Sequence, residues 1–226
     1  MTKIQSLKQN PLGHLELEFG ICLEFGICNL EFVKEMRIIS GTSKGRRLAT
    51  PKSQTIRPTS DRVKESIFNI LGEEVEGKVV LDLFAGTGNL GIEALSRGAK
   101  RALFVEMGRQ ALRLIQRNLS QFGMKGRSEI IPKDVSRAIG ILKQRGESFD
   151  LILMDPPYEK GLIQKTLMKL NSHRIYHEDS ILVIEHNRRE SIPERIGGWT
   201  LIRQRGIGDT LISFLTPSEQ ELPHQE

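Results

Sequence analysis

The sequence predicts an α/β fold, in which an open, doubly wound and mostly parallel sheet of seven strands ends in an antiparallel hairpin. Two observations carry this prediction. Between about residues 78 and 185, short apolar runs typical of buried strands alternate with segments whose apolar residues recur at helical spacing. The chain then changes to two strand-like runs separated by a turn at 206–208. Alternating strands and helices favour a parallel sheet, because parallel neighbours need a long crossover connection.

The predicted elements follow one another with short connections. Ahead of the sheet, the turn-rich segment 41–45 predicts a small basic hairpin, and residues 61–71 predict a helix capped by Thr59 or Ser60. The parallel strands are predicted at Lys78–Phe84, Arg101–Glu106, Ser128–Pro132, Phe149–Met154 and Ser180–Glu185. The helices after the first four are predicted at Asn89–Arg97, Arg109–Phe122, Val135–Arg145 and about Gly161–Leu170. A short helix is expected to begin at Arg188, before the hairpin strands Trp199–Arg205 and Thr210–Leu215.

Length and composition are those of an ordinary globular protein. The chain has 226 residues, of which 38% are hydrophobic, enough for one substantial domain with a core. No run approaches about 18 consecutive apolar residues, so no membrane span is predicted. The two cysteines, Cys22 and Cys28, form neither a disulfide framework nor a zinc motif. We therefore expect a reduced, cytoplasmic protein without a metal ion.

The positive charge is concentrated in one segment. Residues 36–72 contain eight basic and two acidic side chains, a net charge of +6, whereas the whole chain carries +5. A basic segment ahead of a nearly neutral body suggests a polyanionic partner, most simply nucleic acid, although a solvated basic loop has the same composition.

The first 35 residues differ from the rest of the chain. LEFGIC occurs twice in succession at 17–28, and LEF recurs at 30–32, a repeat too short for a solenoid. We expect residues 1–35 to be a disordered or accessory extension, with Met36 as the working start. The remaining divisions are predicted as a basic, RNA-contacting segment at 36–72, the main domain at 73–217 and a flexible tail at 218–226.

A glycine-rich turn joins the first predicted strand of the sheet to the first helix after it. Gly86, Gly88 and Gly91 match GxGxxG, a pattern that lets the backbone approach a ligand closely. Read literally, it predicts a bound dinucleotide with Glu106 on its ribose. Asp82 favours another ligand, because a carboxylate there repels a pyrophosphate but pairs with the ammonium group of an amino acid. S-adenosylmethionine (SAM) has that ammonium and carries no phosphate.

A second motif, Asp155-Pro156-Pro157-Tyr158, directly follows the fourth predicted strand, where open α/β sheets bind their ligands. The exocyclic amine of a nucleobase is a weak nucleophile, because its lone pair is delocalised into the ring. Hydrogen-bond acceptors on both N–H groups localise that lone pair, and the Asp155 carboxylate and Pro156 carbonyl are such acceptors. Pro157 stiffens the rim, and Tyr158 offers a ring on which the base stacks. The motif predicts methyl transfer to a base amine, achieved mainly by positioning.

From Met36 to about Leu215, the chain resembles the RsmD family of bacterial 16S ribosomal RNA guanine-N2 methyltransferases. The resemblance rests on RIISG at 37–41, KGRRL at 44–48, RPTSDRVKE at 57–65, FN at 68–69, LDLFAGTG at 81–88, EALSRG at 93–98 and DPPY at 155–158. It implies a Rossmann-like SAM-dependent methyltransferase fold and, as substrate, 16S RNA within the small ribosomal subunit or its assembly intermediate. Residues 1–35 have no counterpart in the family.

The resemblance also implies roles for individual residues. The SAM pocket would be formed by Asp82, Phe84, Gly86, Gly88, Glu106 on the ribose and Asp134 near the adenine. The guanine would be received by Asp155, Pro156, Pro157 and Tyr158. Gly108 stands where relatives often have an acidic residue or Asn, which leaves the ribose contact to Glu106.

Several basic residues are candidates for contacts with phosphates, which position RNA without reading its sequence. They are Arg37, Lys44, Arg46, Arg47, Arg57 and Arg62. Two alternative functions stay open: a DNA adenine-N6 methyltransferase, since DPPY suits any conjugated amine, and a non-catalytic RNA-binding assembly factor. The lack of an evident sequence-reading domain favours RNA, and the two intact motifs favour catalysis. We expect a monomer.

Overall fold

The computed structural model describes residues 36–50, 60–158 and 161–218. All of these belong to one compact unit. The predictions made for residues 1–35, for Arg57 and Thr59, and for the tail beyond residue 218 lie outside the described residues. The helices within them are α1 (Asp61–Leu71), α2 (Asn89–Ser96), α3 (Arg109–Gln121), α4 (Val135–Gln144) and α5 (Leu162–His173). The strands are β1 (Val79–Leu83), β2 (Arg101–Val105), β3 (Ser128–Ile131), β4 (Phe149–Met154), β5 (Tyr176–Asn187), β6 (Arg195–Ile196), β7 (Trp199–Ile207) and β8 (Thr210–Pro217).

The strands form one sheet in the order β3-β2-β1-β4-β5-β8-β7-β6. From β3 to β5 the neighbours are parallel, and β8, β7 and β6 are antiparallel to theirs. The predicted α/β fold is confirmed, with β6 as a two-residue addition to the seven strands. Strand order reverses between β1 and β4, which is the position where open α/β sheets bind ligands.

The helix predicted at Arg188 is wrong, because the chain turns there instead. The side-chain oxygen of Asn187 accepts the N–H of Arg189 at 2.9 Å, and its carbonyl accepts the N–H of Glu190 at 2.9 Å. These local bonds satisfy the backbone in a turn before a helix can begin. β5 also begins earlier than predicted, at Tyr176.

Two hydrophobic clusters hold the helices on opposite faces of the sheet. One cluster joins the sheet to α1, α2, α3 and the segment 36–50, through side chains such as Ile38, Phe68 and Leu119. The other joins it to α4 and α5, through side chains such as Ile139 and Leu167. Within the described residues, no helix combines the length and apolarity needed to cross a membrane.

The segment 36–50 forms the predicted hairpin only in part, with one bridge between Arg37 and Arg47. A buried carboxylate fixes this segment to α2. Glu93 accepts the N–H groups of Ile39 at 2.8 Å and Ser40 at 3.0 Å. Because these amides belong to an irregular segment, Glu93 supplies acceptors that a sheet partner would otherwise provide.

Two cations balance the charge of Glu93, which is fully buried. Arg97 donates to it at 2.9 Å, and the ammonium of Lys64, itself fully buried, lies 3.4 Å away. Lys64 also donates to the carbonyl of Arg37 and, at 2.7 Å, to the side chain of Asn89. Burial lowers the pKa of Lys64, and the charge of Glu93 opposes that shift. The cluster therefore ties α1, α2 and the segment 36–50 together.

Substitution E93A is expected to lower the free energy of unfolding by about 3–5 kcal/mol, because it leaves a buried ammonium without its carboxylate. K64M should cost less, since Glu93 keeps Arg97 and two backbone donors. The matched control is E129A, which removes a solvent-exposed pair with Arg145 and should cost less than about 1 kcal/mol. Urea unfolding followed by circular dichroism measures the three values, and equal losses for E93A and E129A would contradict the role given to Glu93.

A candidate active site at the carboxyl end of the sheet

A cleft of about 1350 Å³ opens where β1 to β5 end. It is larger than the roughly 300–1,000 Å³ usual for one small ligand, so a cofactor and an extruded base fit together. The structure brings together nearly all the residues predicted for cofactor binding and catalysis. Those in its wall are Asp82, Phe84, Gly86, Glu106, Asp134, Asp155, Pro156, Pro157 and Tyr158. Gly88 lies just behind the wall, buried as the N-cap of α2.

The turn after β1 uses backbone conformations that most residues avoid. Gly86 and Gly88 have φ angles of 56° and 79°, and Phe84 has a φ of 61° without being a glycine. Such strain in a large side chain occurs mainly at functional sites. Gly91 serves a different purpose, because a Cβ there would lie 2.4 Å from a carbon of the Phe104 ring. Because glycine has no Cβ, α2 packs directly on the sheet.

Asp82 is a buried carboxylate in the floor of the cleft, with 1% of its surface exposed. Burial raises its pKa to about 8, and the hydrogen bond from the Gly91 N–H, 2.9 Å long, opposes that rise. The charges of Asp155 and Glu106 raise the pKa further. A nearby cation stabilises the ionised form of such a carboxylate. The floor of the cleft therefore suits a ligand with an ammonium group.

Glu106 links the glycine turn to the loop after β2. One carboxylate oxygen accepts the N–H of Gly86 at 2.9 Å, and the other accepts those of Met107 at 2.8 Å and Gly108 at 2.6 Å. Sequence reasoning predicted a ribose contact but not this bridging of loops. A carboxylate has about four acceptor sites, so acceptor capacity remains for a ligand.

Asp134 follows β3 and is the N-cap of α4. It accepts the N–H of Arg137 at 3.0 Å, and the guanidinium of the same residue lies 3.4 Å away. Asp134 therefore caps α4, and its side chain also lines the cleft.

The sheet register places a further carboxylate, that of Glu185, near the second motif. Leu83 of β1 pairs with Met154 of β4, and Met154 pairs with Ile184 of β5. Phe84, Asp155 and Glu185 are the residues that directly follow these three paired positions, and all of them line the cleft. Glu185 lines the cleft with 5% of its surface exposed. Sequence reasoning missed it, although an acidic residue closing the apolar run SILVI was the available signal.

The described basic candidates lie outside the wall of this cleft. Arg37 forms a salt bridge with Asp61 at 3.4 Å. Arg46 donates to the carbonyl of Gln121 at 2.6 Å, and its guanidinium lies 4.7 Å from the ring centre of Phe122. Each of these two arginines thus also has a partner within the protein. The other described members of the set are exposed: Lys44, Arg47 and Arg62.

No group of three or more His, Cys, Asp or Glu side chains is arranged to hold a metal ion in the described part of the chain. The sequence-predicted residues of the candidate site supply carboxylates, backbone amides and carbonyls, and the ring of Tyr158. This set can accept hydrogen bonds from amines and ammonium groups.

Comparison with known proteins agrees with this geometry. The family model described as "Conserved hypothetical protein 95" matches residues 36–216. A Bacillus subtilis protein named "Putative rRNA methyltransferase YlbH" is 38% identical over 179 residues, which are 79% of this chain and 97% of that protein. The Escherichia coli K12 "Ribosomal RNA small subunit methyltransferase D" is 33% identical over 174 residues, 77% of this chain and 86% of that one.

Solved structures give the same result. "Putative methyltransferase yhhF from Escherichia coli" superimposes with a TM-score of 0.72 and 30% identity, over 82% of this chain and 99% of that one. An RNA methyltransferase from Salinibacter ruber, solved with S-adenosyl-L-homocysteine, shares the fold at a TM-score of 0.58 and 16% identity, over 73% of this chain and 95% of that one. The motifs, the fold and the match over residues 36–216 together show that the chain belongs to the RsmD family, as its sequence predicts.

Proposed function

We propose that this protein transfers the methyl group of SAM to the exocyclic N2 amine of a guanine in 16S ribosomal RNA. One observation carries the proposal: the Asp82 turn and the Asp155–Tyr158 motif open into the same cleft, from the neighbouring strands β1 and β4. The names of the Bacillus subtilis and Escherichia coli relatives support ribosomal RNA as the substrate. The RNA is presented within the small subunit or an assembly intermediate.

The cofactor half of the site lies over β1, β2 and β3. The buried Asp82 carboxylate binds the ammonium group of SAM, Glu106 accepts a ribose hydroxyl and Asp134 lies toward the adenine. The backbone of the turn from Phe84 to Gly88 borders the cofactor. SAM supplies a methyl group on a positively charged sulfur, so these residues have only to hold and orient it.

The base half of the site follows β4. The carboxylate of Asp155 and the carbonyl of Pro156 accept the two N–H groups of the guanine amine, while Tyr158 stacks on the base. These bonds localise the nitrogen lone pair toward the methyl group. The N–C bond forms as the S–C bond breaks, and the nitrogen loses its proton to solvent afterwards, since it becomes acidic only when methylated. No strong base is required beforehand.

Glu185 favours guanine over adenine. Guanine carries an N1–H donor next to its N2 amine, whereas adenine carries a lone pair on N1 next to its N6 amine. A carboxylate beside Asp155 accepts the guanine N1–H and repels the adenine lone pair. This placement supports the ribosomal RNA proposal against a DNA adenine-N6 methyltransferase.

A methyl-transfer assay separates the candidate functions. We expect methylation of small-subunit particles purified from cells that lack this protein, with the new methyl group mapping to guanine N2 by mass spectrometry. Activity on duplex DNA alone would overturn the ribosomal proposal, and binding of RNA without any methyl transfer would favour the assembly factor. We infer that the protein acts as a monomer in the cytoplasm, where its ribosomal RNA substrate would be found.

Substitution D155A should lower kcat by about 100-fold or more, because the base amine loses its charged acceptor and its alignment. The affinity for SAM, measured by calorimetry, should not fall, since Asp155 belongs to the base half of the site and its charge only raises the pKa of Asp82. Turnover at the wild-type rate would contradict the role of Asp155.

Binding of SAM at pH 7 should release about one proton per molecule bound, because the cationic ligand lowers the raised pKa of Asp82. The free protein holds that proton below pH 8 and has lost it above, so the release should disappear as the pH rises. Calorimetry in two buffers of different ionisation enthalpy measures it, and D82N should release none. A wild-type protein that releases no proton at pH 7 would contradict the ammonium contact.

Substitution E185Q should lower kcat/KM for particles by about 10- to 100-fold, because a charge-assisted hydrogen bond contributes about 1.5–3 kcal/mol. SAM affinity again serves as the control. Unchanged kcat/KM would exclude Glu185 from recognition of the base.

A further inference from the structure

One face of α5 forms a wall of the cleft directly after the Asp155–Tyr158 motif. The residues that line the cleft recur at intervals of three and four positions, as neighbours on one helix face do. They are Leu162, Lys165, Thr166, Met168, Lys169 and Ser172. The sequence of α5, LIQKTLMKLNSH, contains two lysines and no acidic residue.

The two lysines on this face are available to a ligand. Lys165 is exposed and Lys169 half-buried, and within residues 36–50, 60–158 and 161–218 no carboxylate forms a salt bridge with either ammonium. On the adjacent helix α4, by contrast, Arg137 is paired with Asp134. Although carboxylates line other parts of the cleft, cations that have no salt-bridge partner of their own can bind an anionic ligand.

An exposed apolar side chain lies between the lysines. Met168 has 68% of its surface exposed, although the purely solvated face of a helix is usually polar. Methionine is flexible and polarizable, so it contacts irregular apolar surfaces well. Two cations with an apolar side chain between them suit a nucleic acid strand, which offers phosphates alternating with sugars and bases.

The helix α5 and the basic segment lie on opposite faces of the sheet. The basic segment 36–50 and α1 pack on one face of the sheet, and α5 packs on the other. The cleft opens along the sheet edge between these faces. An RNA strand that delivers a base to Asp155 can therefore contact cations of α5 in the cleft wall, in addition to those of the basic segment outside that wall.

We propose that the α5 face formed by Lys165, Met168 and Lys169 binds the RNA strand next to the target guanine, with the lysines on successive phosphates. The inference rests on the proposed function, since it assigns that site a second contact with its substrate. Lys165 and Lys169 are one helical turn apart, about 5–6 Å between Cβ atoms, which is comparable with the separation of neighbouring phosphates along a strand.

The test compares two double variants for binding of naked 16S RNA and of small-subunit particles. K165Q/K169Q should weaken binding about tenfold and reduce the slope of log Kd against log salt concentration by about 1.4, or 0.7 per single-strand contact. The matched control K125Q/K143Q removes two exposed lysines outside the cleft wall and should bind like wild type. K165R/K169R should retain binding, because it keeps both charges. SAM affinity should be the same for all.

The outcomes distinguish failure of the α5 inference from failure of the proposed function. If K165Q/K169Q binds RNA as tightly as the control, the role of α5 is overturned and the proposed function is untouched. If the defect appears on particles but not on naked 16S RNA, the contact is with a ribosomal protein and the inference is again overturned. If wild type binds neither substrate, the proposed function falls and the inference with it.

Discussion

The buried carboxylate of Glu93 is the interaction on which the rest of the structure depends. It lies on α2, the helix that begins at the glycine turn, and it also holds the backbone of the segment 36–50. Lys64 extends the connection to α1 and to Asn89, the first residue of α2. The glycine turn and the segment 36–50 are consequently anchored to one helix.

Negative charge is gathered at the carboxyl end of the sheet at a cost in stability. Asp82 and Glu106 come from adjacent strands, and Asp155 and Glu185 from the next two along the sheet. In the free protein the repulsion falls mainly on Asp82, which is the most deeply buried of the four. A cationic ligand at Asp82 would relieve that repulsion, while Asp155 and Glu185 supply acceptor oxygens to the same cleft. The two halves of the site are thus electrostatically dependent on each other.

The sequence predicted the fold and most of the site because both are encoded in local patterns. Strands such as Phe149–Met154 and motifs such as GxGxxG need only neighbouring residues to be recognised. Glu185 was missed because its importance comes from the register of β5 against β4, a long-range property. Arg46 was predicted to contact RNA, yet the stacking of its guanidinium on Phe122 arises only when α3 folds beside it. The turn at Arg188 depends on the side chain of Asn187, whose preference for local bonds competes with helix formation.

The parallel register of β1, β4 and β5 imposes a restriction on how this chain can evolve. Successive strand residues point to opposite faces, so one residue inserted or deleted within Phe149–Met154 would turn the buried residues of β4 to the wrong face or shift Asp155 relative to the ends of β1 and β5. The connections at the opposite edge of the sheet, such as the turn around Gly126, carry no such restriction. Length variation among descendants of this protein should therefore accumulate at that edge, while the strands that end in the cleft keep a fixed residue count.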